Sequence, residues 1–199
     1  MHKKLAIIGA GGHGKVVGEI ALLNEYKVIN FFDNKANEIQ EFPFTIKGNL
    51  DYLKNHLKDY DSFFVAIGEN KVRSEMIEWL KKHSVNIVSL THPNSIVSKF
   101  STLGRGTCIM ASAVVNPGSI IKDGVIINSS ASIDHDCVIE DFAHISPNST
   151  LSGAVKIGKF THLGSGTSVH PEIVIGNNVK VGVGSRIFKD ISDDTIFKN

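Results

Sequence analysis

Residues 127–145 read INSSASIDHDCVIEDFAHI, and a branched aliphatic residue occupies every sixth position of this stretch. The spacing continues in both directions without a gap, from Val97 to Ile187. The sixteen aliphatic positions are Val97, Leu103, Ile109, Val115, Ile121, Ile127, Ile133, Ile139, Ile145, Leu151, Ile157, Leu163, Val169, Ile175, Val181 and Ile187. A period of six matches neither the 3.6 residues of a helical turn nor the alternation of a hairpin strand.

A second series, of small or β-branched residues, lies two positions before each aliphatic residue from Leu103 onward, and it runs from Ser101 to Ser185. Alternate residues of a strand share one side, so each hexapeptide is predicted to form a short strand with two inward-facing side chains. Hexapeptide periodicity is typical of a parallel β-helix, and three hexapeptides then close one triangular coil. We therefore predict a prism of roughly five coils, with stacked positions about eighteen residues apart.

The composition excludes several classes of protein. The chain has 199 residues, 42% of them hydrophobic, and a formal charge of +1. This length suits one or two domains, and the balanced charge gives no sign of a nucleic-acid partner. No segment approaches the roughly 18 apolar residues of a membrane span. Residues 1–4 do not open a signal-peptide pattern. We expect a cytoplasmic protein.

The two cysteines do not make a disulfide framework. Cys137 belongs to the inward-facing small-residue series, which predicts a buried structural thiol. Cys108 precedes an aliphatic position, so the pattern predicts that it points outward.

The first 90 residues carry an α/β pattern instead of hexapeptides. A predicted strand over residues 3–8 runs into the glycine-rich turn 9–14 (GAGGHG) and a helix that ends near Leu23. A second strand over 27–32 is closed by Asp33 and Asn34. This order is typical of a nucleotide-binding unit, because the free N–H groups of the helix start bind phosphate and the acidic residue holds a ribose or base. The alternative is that the glycines only allow a tight turn.

The remaining α/β elements are predicted as a helix over 50–57, a strand over 62–67, a helix over 71–83 and a strand over 85–90. Four or five strands suit one mononucleotide and not a dinucleotide. Gly68 follows its strand at the carboxyl end, where open α/β sheets bind ligands. Arg73 is either a phosphate partner or a solvated charge. Pro93 marks the boundary between a Rossmann-like domain, 1–90, and the β-helix, 91–199.

Histidines carry the candidate chemistry of the repeats. His135 and Asp136 are predicted at one outer corner, where the carboxylate orients the imidazole and raises its basicity, as a general base requires. His144 and His162 are eighteen residues apart, so they are predicted to stack on neighbouring coils and to point outward. For any of them the alternative is a hydrogen-bonded surface residue. A zinc site would need a third ligand that the pattern does not place, so no metal is expected.

Four stretches resemble a known family. Residues 9–14 (GAGGHG), 32–34 (FDN), 66–70 (AIGEN) and 133–144 (IDHDCVIEDFAH) are similar to the bacterial hexapeptide-repeat sugar acyltransferases of the sialic-acid O-acetyltransferase type. The similarity is greatest to the UDP-4-amino-sugar N-acetyltransferases of the bacillosamine pathway. The resemblance implies a left-handed β-helix and a homotrimer. It also implies acetyl-CoA in the groove between neighbouring helices, at active sites built from two subunits.

The same resemblance implies roles for individual residues of the β-helix. His135 is implied as the base that takes a proton from the sugar 4-amino group, with Asp136 where the family often has glutamate. His144 is implied to bind near the thioester carbonyl, and Ser165 and Val183 to line the coenzyme groove. Relatives continue past the last coil with a short Gly-x-Pro-Ala segment, whereas this sequence ends at residue 199, so the coenzyme contacts of such a tail are not expected.

In the first domain the resemblance places the UDP phosphates against the glycine turn, the uridine at the end of the second strand and the nucleotide-sugar beside the next strand. The residues implied are Gly11, Gly12, His13, Asp33, Asn34 and Gly68.

The leading hypothesis from the sequence is an acetyl-CoA-dependent N-acetyltransferase that acts on a UDP-linked 4-amino-4,6-dideoxy sugar. The His135–Asp136 pair does not distinguish an amine from a hydroxyl acceptor, so O-acetylation of sialic acid or another sugar is the main alternative. A nucleotide-binding assembly protein without activity and a zinc enzyme on the same fold are two further alternatives.

Overall fold

The computed structural model describes residues 3–39 and 41–198. The chain divides into two compact units, 1–90 and 91–199. The first is a small α/β unit and the second is a left-handed parallel β-helix, as the sequence predicted.

The first unit is built on a parallel sheet of four strands in the order β3-β2-β1-β4. The strands are β1 (Lys4–Ile8), β2 (Val28–Phe32), β3 (Thr45–Gly48) and β4 (Ser62–Val65). The α-helices are α1 (Gly12–Leu23), α2 (Leu50–Asn55) and α3 (Asn70–Lys82), and short 3-10 turns span Ala36–Glu38 and Leu57–Asp59. Apolar side chains cover β1 on both faces, since residues 5–8 are at most 2% exposed. Continuous burial of this kind is what a central parallel strand requires.

Two elements of the first unit differ from the prediction. β3, for which the sequence predicted no strand, pairs in parallel with β2, with Ile46 opposite Phe31. Its four residues are too few for a periodic signal. Residues 85–90 do not form the predicted strand. Ile87 makes an isolated bridge to Phe63 of β4. The bridge consists of two backbone hydrogen bonds, from the Phe63 N–H to the Asn86 carbonyl and from the Val88 N–H to the Phe63 carbonyl.

The second unit consists of two-residue strands that form three parallel sheets, the faces of the prism. Face 1 contains β5 (Leu90–Thr91), at the unit boundary, β8 (Cys108–Ile109), β11 (Ile126–Ile127), β14 (His144–Ile145), β17 (His162–Leu163), β20 (Lys180–Val181) and β22 (Ile196–Phe197). Face 2 contains β6 (Ile96–Val97), β9 (Val114–Val115), β12 (Ser132–Ile133), β15 (Thr150–Leu151), β18 (Ser168–Val169) and β21 (Arg186–Ile187). Face 3 contains β7 (Thr102–Leu103), β10 (Ile120–Ile121), β13 (Val138–Ile139), β16 (Lys156–Ile157) and β19 (Val174–Ile175).

Stacked strands are offset by eighteen residues, as in the pairs Ile127–Ile145 and Ile145–Leu163. The predicted aliphatic series fills the interior of the prism, and the small-residue series lies beside it. Most of its polar members are also buried: Ser119, Ser149 and Thr161 are 0% exposed. Their hydroxyls donate to backbone carbonyls about one coil away, for example Thr161 to Gly176 at 2.6 Å. The interior is therefore apolar, with each small polar group satisfied.

Glycines that follow an aliphatic position have a packing reason. A Cβ at Gly158 would collide with the backbone of Gly176 on the next coil, and one at Gly164 with that of Gly182. The final coil is shorter than the others, since Ile196 pairs with Lys180 and Ile191 with Ile175, an offset of sixteen residues.

Cys137 is buried in the interior, as predicted. Cys108 is also fully buried. The sequence predicted that its side chain points to the outside, but it is not exposed to solvent. Alternation fixes the side of a strand on which a residue lies, but other parts of the chain decide whether that side is covered. No described helix is long and apolar enough to cross a membrane.

Candidate active site

His135 and Asp136 lie at the corner between β12 on face 2 and β13 on face 3. The imidazole Nδ1 is 2.8 Å from the Asp136 Oδ2, and the two side chains are 60% and 67% exposed. Asp136 has a left-handed backbone conformation, with φ of 60°, which bends the corner and directs its carboxylate back to the ring. When Nδ1 carries the ring proton it donates to the carboxylate, and Nε2 then presents its lone pair as a base.

The electrostatics of this corner favour a basic imidazole. The hydrogen bond to Asp136, together with the charge of Asp134, raises the pKa of His135. Asp134 is itself held by two bonds, from the backbone N–H of His135 at 2.8 Å and from the side-chain amide of Asn116 at 3.1 Å. Two acidic residues thus flank one exposed imidazole.

The outer side of face 1 carries a pair of stacked histidines. The rings of His144 and His162 are parallel, with 2° between their planes and 4.6 Å between centroids, so the predicted stacking is confirmed. The Nε2 of His144 is 3.0 Å from the Asn128 amide, and the Nε2 of His162 is 2.9 Å from the Ser146 hydroxyl. Asn128 and Ser146 were not singled out from the sequence.

The Asn128 amide has a fixed orientation. Its Oδ1 accepts the backbone N–H of Ser129 at 2.8 Å, so its Nδ2, which can only donate, faces the Nε2 of His144. His144 therefore accepts at Nε2 and carries its proton on Nδ1. The Nδ1 atom is itself buried.

Ser165 and Val183 lie one coil apart at the corner between faces 1 and 2. The backbone N–H of Gly184 donates to the Ser165 carbonyl at 2.8 Å, and Val183 is 76% exposed. The exposed Val183 side chain offers apolar surface to a ligand. The glycines of this corner carry no side chain that would keep a ligand away from the backbone.

Within one chain, the candidate residues of the β-helix do not converge on one point. His135 belongs to the corner between faces 2 and 3, whereas Ser165 and Val183 belong to the corner between faces 1 and 2. Face 2 lies between the two corners. The distance along it is at most roughly 20 Å, the length of six extended residues.

In the first unit, the glycine turn joins β1 to α1 and has two kinds of glycine. Gly9 has φ of 105°, and a Cβ at Gly14 would collide with the Gly9 carbonyl, so both are needed for the turn itself. A Cβ at Gly11 or Gly12 would have no atom within 4 Å. The open side of the turn is therefore at Gly11 and Gly12, where α1 begins and its first N–H groups lack helical acceptors.

Asp33 ties the end of β2 to this turn. One carboxylate oxygen accepts the backbone N–H of Ala10 at 2.9 Å, and the other accepts that of Lys35 at 2.9 Å. The neighbouring Asn34 side chain accepts the N–H of Leu50 at 3.2 Å. Clefts of about 240 and 260 Å³ adjoin these residues, lined among others by Gly9, Ile67, Val72, Asn37 and Tyr52.

His13 is the most perturbed histidine of the first unit. Burial, together with the positive charge of Arg73, lowers its pKa to about 4. Its Nε2 is buried without a hydrogen-bond partner among the described residues. His13 is thus a neutral side chain at the start of α1.

The Gly68 turn is held by Arg73. The guanidinium is 1% exposed and donates to the carbonyls of Ile67 and Gly68, at 3.0 and 2.9 Å, and to the Asn70 side chain at 2.8 Å. The Arg73 side chain is buried and stabilises this turn. It is therefore neither a solvated charge nor an exposed phosphate ligand, and neither sequence interpretation was right. A buried arginine among backbone carbonyls has no signature in a single sequence. No cluster of metal-ligating side chains occurs in residues 3–39 and 41–198.

Comparison with known proteins gives matches to both units. Residues 4–80 match the family model of the PglD N-terminal domain. The UDP-N-acetylbacillosamine N-acetyltransferase of Bacillus subtilis is 37% identical over 119 residues, 55% of this chain and 52% of that protein. The match thus spans about half the length of this curated relative.

Solved structures match along nearly the whole chain. The acetyltransferase domain of PglB from Neisseria gonorrhoeae, in complex with acetyl coenzyme A, is 37% identical with a TM-score of 0.93, and the match covers 100% of this chain and 98% of that one. PerB from Caulobacter crescentus, in complex with CoA and GDP-perosamine, is 33% identical with a TM-score of 0.91, over 96% and 91% of the two chains.

A small α/β unit followed by a left-handed hexapeptide prism is the architecture of the hexapeptide-repeat acetyltransferases. The chain belongs to the PglD-type family of bacterial sugar N-acetyltransferases.

Proposed function

We propose that this protein transfers the acetyl group of acetyl-CoA to the 4-amino group of a UDP-linked 4-amino-4,6-dideoxy sugar, with His135 as the general base. The observation that carries the proposal is the His135–Asp136 contact of 2.8 Å on the outer corner of the prism. The similarity to enzymes that act on amino sugars, one bound to acetyl coenzyme A, supports the choice of donor and acceptor.

The reaction needs no covalent enzyme intermediate. The sugar amine attacks the thioester carbonyl carbon, and the Nε2 of His135 takes the proton that the nitrogen loses. The tetrahedral intermediate collapses with cleavage of the C–S bond, and the proton passes to the leaving thiolate, which gives the amide and free CoA. Asp136 holds the Nδ1–H, so it stabilises the imidazolium that forms in between.

His144 is proposed to act on the donor. It is proposed to bind near the thioester carbonyl, and the Asn128 amide and the stacked His162 ring fix the orientation of its imidazole. Ser165 and Val183 are proposed to line the groove of the coenzyme arm.

The first unit is proposed to bind the nucleotide part of the acceptor. Gly11 and Gly12 leave room for phosphate oxygens at the start of α1, and His13 offers a neutral hydrogen-bonding group beside them. Asp33 and Asn34 are proposed for the uridine, and Gly68 for the nucleotide-sugar.

A homotrimer is proposed as the active form. The base and the coenzyme-groove residues occupy different corners of one prism. A second copy that places its corner against the first would supply what one chain lacks. Sedimentation of the purified protein tests this assembly.

The test of the function is release of free thiol from acetyl-CoA in the presence of a UDP-linked 4-amino sugar. We expect turnover with the UDP-sugar, less with a GDP-linked amino sugar, and none with sialic acid. Replacement of His135 by alanine is expected to lower kcat by about 10²- to 10⁴-fold. Turnover with sialic acid alone would replace N-acetylation by O-acetylation, and native turnover in the His135→Ala variant would remove the proposed base.

A further inference from the structure

The His135 ring rests on a glycine of the next coil. Gly153 lies eighteen residues after His135, and a Cβ built on it would be 2.6 Å from both Cε1 and Nε2 of the imidazole. Carbon atoms in ordinary contact are about 3.5–4.0 Å apart. The imidazole therefore occupies space that any other residue at position 153 would fill.

The backbone fixes the relative height of the two residues. The N–H of Ala154 donates to the His135 carbonyl at 2.9 Å, so the coil that carries Gly153 is bonded directly beneath the corner. Asp136 is seated in the same way on the preceding coil, where its N–H donates to Pro117 and a Cβ at Gly118 would collide with its Oδ1. The pair thus lies between two glycines.

Gly118 and Gly153 exclude other residues for different physical reasons. Gly118 has φ of 78°, a conformation that other residues adopt only with strain. Gly153 does not have a positive φ, so its backbone accepts alanine. The nearest atoms that an alanine methyl would meet there all belong to the His135 ring.

We propose that Gly153 is a positioning residue for the reaction, because it leaves the slot that holds the His135 imidazole against Asp136. This inference rests on the proposed function, in which Nε2 is the reacting atom. A methyl group at position 153 displaces the ring by roughly 1 Å, which weakens the bond to Asp136 and moves Nε2 from the acceptor amine.

The test is the Gly153→Ala variant of the full chain. We expect kcat to fall about 10- to 100-fold, with both KM values within about threefold of native, since misplacement by 1 Å alters the reacting geometry and not the binding surfaces. The melting temperature should stay near the native value, because an exposed ring is free to rotate away. In contrast, Gly158→Ala, where the added methyl meets the backbone of the next coil, should lower the melting temperature.

Two measurements separate positioning from a merely structural role. In the His135→Ala background, Gly153→Ala should cause no further loss of kcat, since the displaced ring is absent. NMR titration should show that Gly153→Ala lowers the pKa of the His135 imidazole, because the hydrogen bond to Asp136 is weakened.

A native His135 pKa in the Gly153→Ala variant would overturn the inference, whatever the turnover. The NMR titration needs no substrate, so it decides the position of the ring even if the native protein fails to acetylate any amino sugar. That second failure would remove the proposed function and not the contact between Gly153 and His135.

Discussion

The imidazole of His144 lies flat against that of His162, on the neighbouring coil, with their centroids 4.6 Å apart. This contact follows from the strand register, which places the two residues directly opposite each other. His162 thus supports one side of the ring that we propose to contact the thioester, while Asn128 sets its tautomer.

Replacing His162 by alanine removes this support but leaves the hydrogen bond between Asn128 and His144. Aromatic stacking is worth about 0.5–1.5 kcal/mol, so we expect the KM for acetyl-CoA to rise by about 2- to 10-fold, with a smaller change in kcat. Steady-state kinetics with varied acetyl-CoA measures this. The control is Lys156→Ala on face 3, which should keep the native KM, and an unchanged KM in His162→Ala would show that the stack is only structural.

Asp136→Asn should shift the pH dependence of activity. The bond from His135 to Asp136 raises the imidazole pKa, so removal of the negative charge lowers it. Because the base must be neutral to act, the acid limb of kcat/KM moves to lower pH, and the plateau falls because the imidazole is less basic. Asparagine is among the residues that most readily adopt the left-handed backbone found at this position. A limb at the native pH would argue against coupling between the two residues.

His13 should make folding stability depend on pH. Its pKa is about 4 in the folded protein and 6.5 in the unfolded chain, so between these values only the unfolded chain binds the proton. Stability is therefore lost as pH falls from 6.5 toward 4, by about 2 kcal/mol between pH 7 and pH 5. Urea unfolding of His13→Gln at both pH values should show a flatter dependence than native. Lys15→Gln, an exposed change nearby, should retain the native slope, and an equal slope in His13→Gln would contradict the burial of a neutral ring.

The glycine turn offers a matched pair of substitutions. Gly14→Ala should lower the melting temperature, because the methyl meets the Gly9 carbonyl. Gly12→Ala adds its methyl to open space at the start of a helix, so stability should be native or slightly higher. If the UDP phosphates lie on this turn, Gly12→Ala should abolish most of the thermal shift that UDP causes. An undiminished shift would move the phosphate site elsewhere.

The β-helix was largely predictable because its signal is periodic. A branched residue at every sixth position tells where each strand faces inward, and Ile127, Ile145 and Leu163 lie in the interior accordingly. The eighteen-residue spacing also identifies stacked residues, and it pairs His135 with Gly153 and Asp136 with Gly118. Applied to the histidines alone, the spacing did not reveal either glycine.

The first unit was less predictable because its decisive contacts join loops that are distant in sequence. Nothing local marks Asp33 as the acceptor for the Ala10 N–H, 23 residues away. The sequence left Arg73 as either a phosphate partner or a solvated charge, but three oxygen acceptors that follow β4 allow its burial.

By itself, the sequence determined the prism, its two inward series, the glycine turn and the family resemblance, since each depends on spacing along the chain or on local backbone preference. Only the tertiary structure decided that Cys108 is covered, that His13 is neutral, and that the His135 ring fills the space above Gly153. Burial and the close approach of side chains depend on which segments meet in space, and the spacing of residues along the chain does not specify that.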